Sequence, residues 1–191
     1  MDETHSRIKI KLGPIEGAHI WQMPNFRDIR GSLNKTYVTG ESGSFPVPFQ
    51  MFEHFFTYSK QNVFRGMHFQ GEPHGVSKIV SIIQGSVTDY LLDLRMNSGT
   101  YGNLKIQEMN SENPLSIYIP TGVAHGYISL ENETIMSYKL DGFFCANCDG
   151  GISGEAISEY LPINFLATIR SEKDMNLQGI ADFKYETICL Q

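Results

Sequence analysis

The sequence predicts an all-β fold, a barrel or sandwich of antiparallel strands, with short helices near the C-terminal end. Its strand-like segments are short, and turn motifs such as "QGEPHG", "NSGTYG" and "PTG" separate them at close spacing. Residues 86–95 alternate between two sets of side chains, with Val87, Asp89 and Leu91 on one face of the expected strand. A period of two and frequent turns favour antiparallel sheets over units in which strands alternate with helices.

The expected strands follow one another up to about residue 141. In order they are "RIKIKL", "GAHIWQMP", "SLNKTYVT", "FEHFFTYS", "HGVSKIVSIIQG", "SVTDYLLDLR", "GNLKIQEM", "LSIYIP", "AHGYISL" and "ETIMSYKLD". Beyond them, "EAISEYL" and "SEKDMNLQGI" are typical of short helices, which we expect to pack outside the barrel. The 191 residues are long enough to bury a sizeable core. We therefore predict a single domain over 1–191, with a core of about 15–150 and a C-terminal appendage of about 151–191.

Composition and charge limit the partners that the chain is expected to bind. With 41% hydrophobic and 19% charged residues, a net charge of −6 and a pI near 5.5, it does not resemble a nucleic-acid or anionic-membrane binder. Neither a long apolar segment nor the apolar region of a signal peptide is present, which predicts a cytoplasmic protein without a membrane partner. The pair Cys145 and Cys148 lacks the second pair of a zinc knuckle, so we expect incidental or structural thiols.

Two motifs carry the chemistry. In "PTGVAHG", Pro120, Gly122 and His125 have the spacing of the later motif of a cupin, a jelly-roll β-barrel. Earlier in the chain, Lys78 is followed by six residues and Gly85, which resembles the first cupin motif. The resemblance of both motifs to those of cupins implies the cupin barrel as the specific form of the all-β fold.

Lys78 stands where metal-binding cupins have an acidic ligand. The preceding His68 and His74, in "HFQGEPH", are too far apart for the His-x-His of such a site. A protonated lysine has no lone pair and cannot bind a metal, but it supplies a positive charge in place of one. Because burying an unpaired ammonium is costly, we expect Lys78 to face a cavity and the barrel to hold no metal.

Further motifs are spread along the chain: "FRDIRG" at 26–31, "RGMHFQ" at 65–70, Lys78, "SGTYG" at 98–102, "IPTGVAHGYISL" at 119–130, "SYKLDGFF" at 137–144 and "SEKD" at 171–174. In order and spacing they resemble the dTDP-4-dehydrorhamnose 3,5-epimerase family. The members of that family are metal-free cupins that epimerise nucleotide-linked 4-keto-6-deoxy sugars without a cofactor.

The resemblance implies four catalytic residues. His68 is the expected general base, and Asp174 is the acid that pairs with it. Lys78 is expected beside the keto oxygen of the substrate. Tyr138 is the expected proton donor on the opposite face of the sugar ring.

The resemblance also implies a set of substrate-binding residues and a dimer. Arg65 is expected to bind the pyrophosphate, and Arg30 is expected to reach the nucleotide in the neighbouring subunit of a homodimer. The remaining residues expected to bind the nucleotide-diphosphate 4-keto sugar are His125, Glu53, Thr57, Phe26 and Phe143.

Epimerisation beside a ketone requires these types of residue. Removal of the proton next to the ketone leaves negative charge on the oxygen, and an ammonium stabilises that enolate more than the neutral ketone. An imidazole, with a reference pKa of about 6.5, is suited to remove the proton near neutral pH. Inversion also needs an acid on the other face, because a proton that returns from the same face restores the substrate.

Some residues depart from the family pattern and leave alternatives open. Glu53, Phe55 and Thr57 stand where the family commonly has Gln, Asn and Ser, and "GISGEAIS" replaces a loop that contains tryptophan. The default substrate is dTDP-4-dehydro-6-deoxy-D-glucose, epimerised at C3, C5 or both. The alternatives are a single-centre epimerase of a CDP- or GDP-linked deoxy sugar or heptose, a 3,4-ketoisomerase, a non-catalytic binding module and a metal-dependent cupin.

Overall fold

The computed structural model describes residues 8–38 and 47–183. The strands are β1 Lys11–Leu12, β2 His19–Gln22, β3 Asn25–Asp28, β4 Gly31–Asn34, β5 Glu53–Ser59, β6 Phe64–Gln70, β7 Lys78–Gln84, β8 Ser86–Asp93, β9 Asn103–Asn110, β10 Leu115–Ile119, β11 Val123–Ser129, β12 Thr134–Leu140 and β13 Asp149–Gly151. Two short 3₁₀ helices, Gly154–Tyr160 and Phe165–Ala167, and one turn of α-helix, α1 Glu172–Met175, follow.

The strands form two facing sheets and a separate hairpin. The larger sheet has the order β1-β9-β8-β11-β6-β13, the smaller sheet has the order β2-β10-β7-β12-β5, and β3 pairs with β4 alone. All neighbours in the two sheets are antiparallel except β1 and β9. The predicted all-β jelly-roll with short C-terminal helices is therefore confirmed.

The strand predictions were right in most places and wrong in a few. The segment "RIKIKL" contributes only Lys11–Leu12, and its first residue lies outside the described residues, as does the last residue of "SLNKTYVT". Strand β6 was not among the expected strands, because Gly66 interrupts its hydrophobic pattern. The interruption has a structural reason: a Cβ on Gly66 would lie 2.5 Å from the Cα of Gly126 in β11.

The hydrophobic core between the sheets holds side chains from both. The smaller sheet contributes Val80, Ile117 and Met136, and the larger sheet contributes Leu91 and Tyr127, all fully buried. Burial of each such side chain stabilises the fold by about 1.5–3 kcal/mol. Polar side chains of the same strands line a cavity at the margin of this core.

A second apolar cluster covers the outer face of the larger sheet. Phe64, Tyr90 and Leu104 of the sheet pack against Ile157 and Phe165 of the two 3₁₀ helices. The C-terminal segment thus packs on the outside of the barrel, as predicted. Among the described residues, no helix is long and apolar enough to cross a membrane.

Candidate active site

A cavity of about 540 Å³ lies between the two sheets, a size suited to a small-molecule ligand. Its walls come from strands of both sheets, from the segment after β12 and from α1. The lining residues are Glu53, Phe55, Thr57, Arg65, His68, Phe69, Gln70, Val76, Lys78, His125, Tyr138, Leu140, Phe144, Asp149, Ser171, Lys173 and Asp174. All four expected catalytic residues are among them.

His68 and Asp174 form a hydrogen-bonded pair. His68 Nε2 lies 2.6 Å from Asp174 Oδ1, although 106 positions separate the residues in the chain. Asp174 is held in place by the start of α1, where its backbone N–H donates to the Ser171 hydroxyl at 3.1 Å. Burial raises the pKa of Asp174, but the interactions with His68, Ser171 and Lys173 outweigh it and leave the pKa below the ordinary value. Asp174 is therefore an ionised acceptor near neutral pH.

An ionised carboxylate only accepts hydrogen bonds, so the pair fixes the tautomer of His68. Nε2 carries the proton that faces Asp174, and Nδ1 keeps the lone pair. The His68 side chain is 30% exposed and Asp174 only 5%, so the imidazole is open on the cavity side while its partner is enclosed. This arrangement makes His68 capable of accepting a proton at Nδ1.

Lys78 is a buried cation in the wall of the same cavity. It begins β7, is 8% exposed, and its Nζ donates to the backbone carbonyl of His68 at 3.1 Å. Burial lowers its pKa to about 8, although the carboxylates of Asp149 and Asp89 oppose the change. The Lys78 ammonium is thus anchored to the strand that carries His68.

Tyr138 lies on the opposite sheet from His68. It belongs to β12 and is 9% exposed, and its ring stacks on Phe55 of the neighbouring strand with centroids 5.0 Å apart. Burial raises the pKa of Tyr138 well above its ordinary value, and Tyr127 and Asp89 add to the rise. Tyr138 therefore remains a protonated phenol in the free protein.

His125 forms a second, fully enclosed pair with Asp89. Its Nε2 lies 2.7 Å from Asp89 Oδ2, and the two side chains are 3% and 0% exposed. Burial lowers the pKa of His125, and the nearby Asp89 only partly offsets this. His125 also packs edge-on against the ring of Tyr138, with centroids 5.9 Å apart. His125 is also one of the residues that line the cavity, where its ring supports that of Tyr138.

The other polar residues of the lining include both positively and negatively charged side chains. Arg65 is held by Ser59 Oγ at 3.1 Å and by the Tyr58 carbonyl at 2.9 Å. Lys173 pairs with Asp149 at the margin of the cavity. Glu53 and Thr57 also line the cavity, and their assignment to substrate binding stays a prediction.

Three predicted residues do not line the cavity of this chain. Phe26 and Arg30 belong to the β3–β4 hairpin, where Phe26 is 59% exposed and Arg30 pairs with Asp28 at 2.5 Å. Phe143 packs against the ring of His74, with centroids 5.1 Å apart, and its neighbour Phe144 lines the cavity instead. Their assignment to substrate binding stays a prediction.

Sequence reasoning missed several residues of the site. Asp89 was noted only for its place in an alternating strand, although an acid on the apolar face of that strand was a signal of a buried pair. Asp149 and Lys173 gave no such signal, because they meet only when β13 and α1 pack side by side.

Neither a metal site nor a disulfide is formed by the described residues. Within 8–38 and 47–183, no three His, Cys, Asp or Glu side chains group as a metal site. Cys145 and Cys148 are not joined in a disulfide, and their sulfur atoms lie 3.0 Å apart in the turn that leads to β13. The expectations of a metal-free site and of incidental thiols stay predictions.

Comparisons with known proteins agree on one family. A family model described as dTDP-4-dehydrorhamnose 3,5-epimerase matches residues 13–182. A relative of that name from Methanothermobacter thermautotrophicus is 32% identical over 175 residues, which cover 88% of this chain and 92% of the relative. Another, from Shigella flexneri, is 31% identical over 171 residues, which cover 87% and 92%.

The solved structures lead to the same conclusion. The crystal structure of dTDP-4-dehydrorhamnose 3,5-epimerase from Bacillus anthracis, with TDP and pyrophosphate bound, is 27% identical to this chain with a TM-score of 0.80. The match covers 90% of this chain and 98% of that structure.

Proposed function

The chain belongs to the dTDP-4-dehydrorhamnose 3,5-epimerase family, and from that premise we propose that it inverts C3 and C5 of dTDP-4-dehydro-6-deoxy-D-glucose. Like its relatives it is an isomerase. One observation carries the proposal: a base on one sheet and a protonated phenol on the facing sheet border the same cavity, with an ammonium beside the base. This is the arrangement that inversion next to a ketone requires.

The first step is removal of the proton next to the ketone by His68. Nδ1 accepts the proton, the C–H bond breaks, and the electron pair moves onto the keto oxygen as an enolate. Asp174, 2.6 Å from Nε2, stabilises the imidazolium that forms and keeps the ring in position.

The second requirement is stabilisation of the enolate. The Lys78 ammonium is buried, and its charge is therefore less screened than that of an exposed lysine. Because its Nζ is held 3.1 Å from the His68 carbonyl, the charge is fixed before the substrate arrives. A preorganised cation stabilises the enolate more than the ketone and so lowers the barrier.

The third step is reprotonation from the other side by Tyr138. Its O–H bond breaks, a new C–H bond forms on the opposite face of the ring, and the enolate returns to the ketone. His68 lies on β6 of the larger sheet and Tyr138 on β12 of the smaller one, so a ring between them meets a base and an acid on opposite faces.

The positive charge at the cavity supports a ligand that contains a diphosphate group. Arg65, whose guanidinium is held by Ser59 and the Tyr58 carbonyl, is the proposed pyrophosphate ligand. The overall charge of the chain is −6, so binding of a dianionic group depends on such local cations.

The cytoplasmic location stays a prediction, to be tested by fractionation.

We further propose a homodimer in which the β3–β4 hairpin of one subunit lies on β5 of the other. Strand β5 is an edge of the smaller sheet, and its Phe56 and Tyr58 are 47% and 69% exposed. The hairpin carries Ile29 at 105% and Leu33 at 56% exposure. An exposed apolar edge strand favours pairing with another strand. Because β5 also forms a wall of the cavity, the hairpin would bring Arg30 and Phe26 to the partner's nucleotide.

The decisive experiment is solvent exchange in D₂O with dTDP-, CDP- and GDP-linked 4-keto-6-deoxy sugars, analysed by NMR. We expect deuterium at C3 and C5 of the dTDP-linked sugar and an inverted product. Preference for a CDP- or GDP-linked sugar would overturn the assigned nucleotide, and label at a single centre would overturn the assigned double inversion.

The rival functions give different outcomes in the same experiment. A product with its ketone at C3 would identify a 3,4-ketoisomerase, and nucleotide binding without exchange would identify a binding module. Stoichiometric metal by elemental analysis, together with loss of activity to a chelator, would identify a metal-dependent cupin.

We expect His68→Ala and Tyr138→Phe each to lose turnover while dTDP binding is retained.

A further inference from the structure

We infer that Tyr127 is a positioning residue that acts on Tyr138 through Thr57, in a chain of hydroxyl groups that starts at Arg65. The inference rests on the proposed function, because it concerns how the proposed proton donor is oriented. Tyr127 is absent from the cavity lining and is 0% exposed, in the core between the two sheets. Its phenol is therefore a buried polar group whose partners need an explanation.

The partners of Tyr127 are two hydroxyl groups of β5. Tyr127 OH lies 2.9 Å from Thr57 Oγ1 and 2.8 Å from Ser59 Oγ. Tyr127 belongs to the larger sheet and β5 to the smaller one, so its side chain crosses the core to make both contacts. A phenylalanine would fill the same apolar space, so packing alone does not account for the hydroxyl.

The chain continues at both ends. Ser59 Oγ accepts a hydrogen bond from Arg65 Nε at 3.1 Å. At the other end, Thr57 and Tyr138 lie on the paired strands β5 and β12, and both line the cavity. The interaction with Thr57 lowers the pKa of Tyr138, against the larger effect of burial, which raises it. The sequence of groups is therefore Arg65, Ser59, Tyr127, Thr57 and Tyr138.

Arg65 fixes the direction of the first hydrogen bond in this chain, and we assign the directions of the others to agree with it. A guanidinium only donates, so Ser59 accepts from it; in the proposed orientation Ser59 then donates its own proton to Tyr127. Tyr127 in turn donates to Thr57, and Thr57 donates to the oxygen of Tyr138. Charge-assisted donors are stronger than neutral ones, and aligned hydrogen bonds polarise one another.

This direction has two consequences for Tyr138. Its oxygen accepts from Thr57, so its own proton stays available to the cavity, where the enolate forms. After the O–H bond breaks and the proton joins carbon, the negative charge on the Tyr138 oxygen is stabilised by the Thr57 donor and the groups behind it. The chain thus favours proton donation by a phenol that burial otherwise makes a weak acid.

Tyr127→Phe removes one hydroxyl and keeps the ring. We expect kcat for epimerisation to fall about tenfold, a fraction of the effect of a complete general acid. Proton return from the His68 face should then compete better, so the ratio of deuterium in uninverted substrate to inverted product should rise by a similar factor. Thr57→Val should give the same lower kcat and the same higher deuterium ratio. Thr57→Ser keeps the hydroxyl and should behave like the wild type. The double variant Tyr127→Phe with Thr57→Val should have a kcat little lower than that of either single variant.

A second measurement does not depend on turnover. Fluorine NMR of fluorotyrosine-labelled protein, with Tyr138 assigned from Tyr138→Phe, should show a higher pKa for Tyr138 in Tyr127→Phe than in the wild type. The matched control is Tyr90→Phe, which removes another buried phenol, one that donates to the Tyr160 carbonyl at 3.0 Å outside the cavity lining. Tyr90→Phe should leave the deuterium ratio and the titration of Tyr138 unchanged.

The outcomes separate this inference from the proposed function. Lack of solvent exchange by the wild type would overturn the proposed function. The titration of Tyr138 would still decide whether the chain of hydroxyl groups acts on that residue. A reduced kcat in Tyr127→Phe with an unchanged deuterium ratio and an unchanged Tyr138 titration would show a purely structural role and overturn the inference.

Discussion

At the scale of single residues, the protonation of Lys78 should set the alkaline limit of activity. Its ammonium stabilises the enolate only while protonated, and burial lowers its pKa to about 8. The charged form is therefore present below about pH 8 and lost above it. We expect kcat/KM to fall as the pH rises through that value, with a limiting slope of about one log unit per pH unit.

Variants of two lysines test this assignment. Lys78→Arg keeps the charge at all accessible pH values, so its residual activity should lack the alkaline fall near pH 8. Lys139 is also buried with a pKa lowered to about 8, but it contacts Ser137 on the other face of β12. Lys139→Met should keep the alkaline fall, and an unchanged fall in Lys78→Arg would exclude Lys78 as its source.

Asp174 should matter for the chemical step more than for binding. Asp174→Asn keeps the shape of the side chain but no longer favours the tautomer with a lone pair on Nδ1 of His68. We expect kcat to fall about a hundredfold or more, with little change in dTDP affinity by calorimetry. Glu172→Gln makes the same acid-to-amide change at an exposed position of the same helix and should be neutral. Equal kcat in both variants would contradict the role of Asp174.

At the scale of elements, the close approach of β6 and β11 positions the base. Gly66 has a φ of +138°, and a Cβ there would lie 2.5 Å from the Cα of Gly126 and 2.9 Å from the His125 carbonyl. An alanine needs both a strained backbone and a separation of two central strands. The glycine therefore lets β6 carry Arg65 and His68 along the cavity wall.

Gly66→Ala should destabilise the protein by about 2–4 kcal/mol, because backbone strain and overpacking coincide. Urea unfolding followed by circular dichroism measures the change. Gly179→Ala is the control, since the nearest contact of its added Cβ is the Asp182 carboxylate at 3.8 Å. A loss of stability in Gly66→Ala no larger than in the control would mean that the two strands separate without cost.

At the scale of the whole molecule, the proposed dimer predicts complementation between two inactive variants. Arg30→Ala impairs the partner's site, whereas Tyr138→Phe impairs the site of its own chain. After unfolding and refolding together, half of the dimers should be mixed, and each mixed dimer has one intact site. The mixture should regain roughly a quarter of wild-type activity, as expected for random pairing of two chains.

Sedimentation of the wild type should give the mass of two chains. Each variant refolded alone serves as the control and should stay inactive. A monomer by sedimentation, or a mixture no more active than its components, would contradict an exchange of Arg30 between subunits.

The sequence by itself determined the fold class and identified residues that share one cavity. Alternation in strands such as β8, the glycine and proline turns, and the two cupin motifs were sufficient for an all-β barrel, because these signals are local. The motifs around His68, Lys78 and Tyr138 identified residues that do line one cavity. Their spacing along the strands fixes which face each side chain occupies.

Only the tertiary structure decided which residues meet across the chain. The pairing of His125 with Asp89, the chain through Tyr127, and the place of Phe144 in the wall instead of Phe143 each join segments whose separation in sequence carries no local signal. Such contacts depend on how two sheets face one another and on which way each side chain crosses the core. A pattern of residues sets a strand and its faces, but its partners are fixed by the packing of the whole molecule.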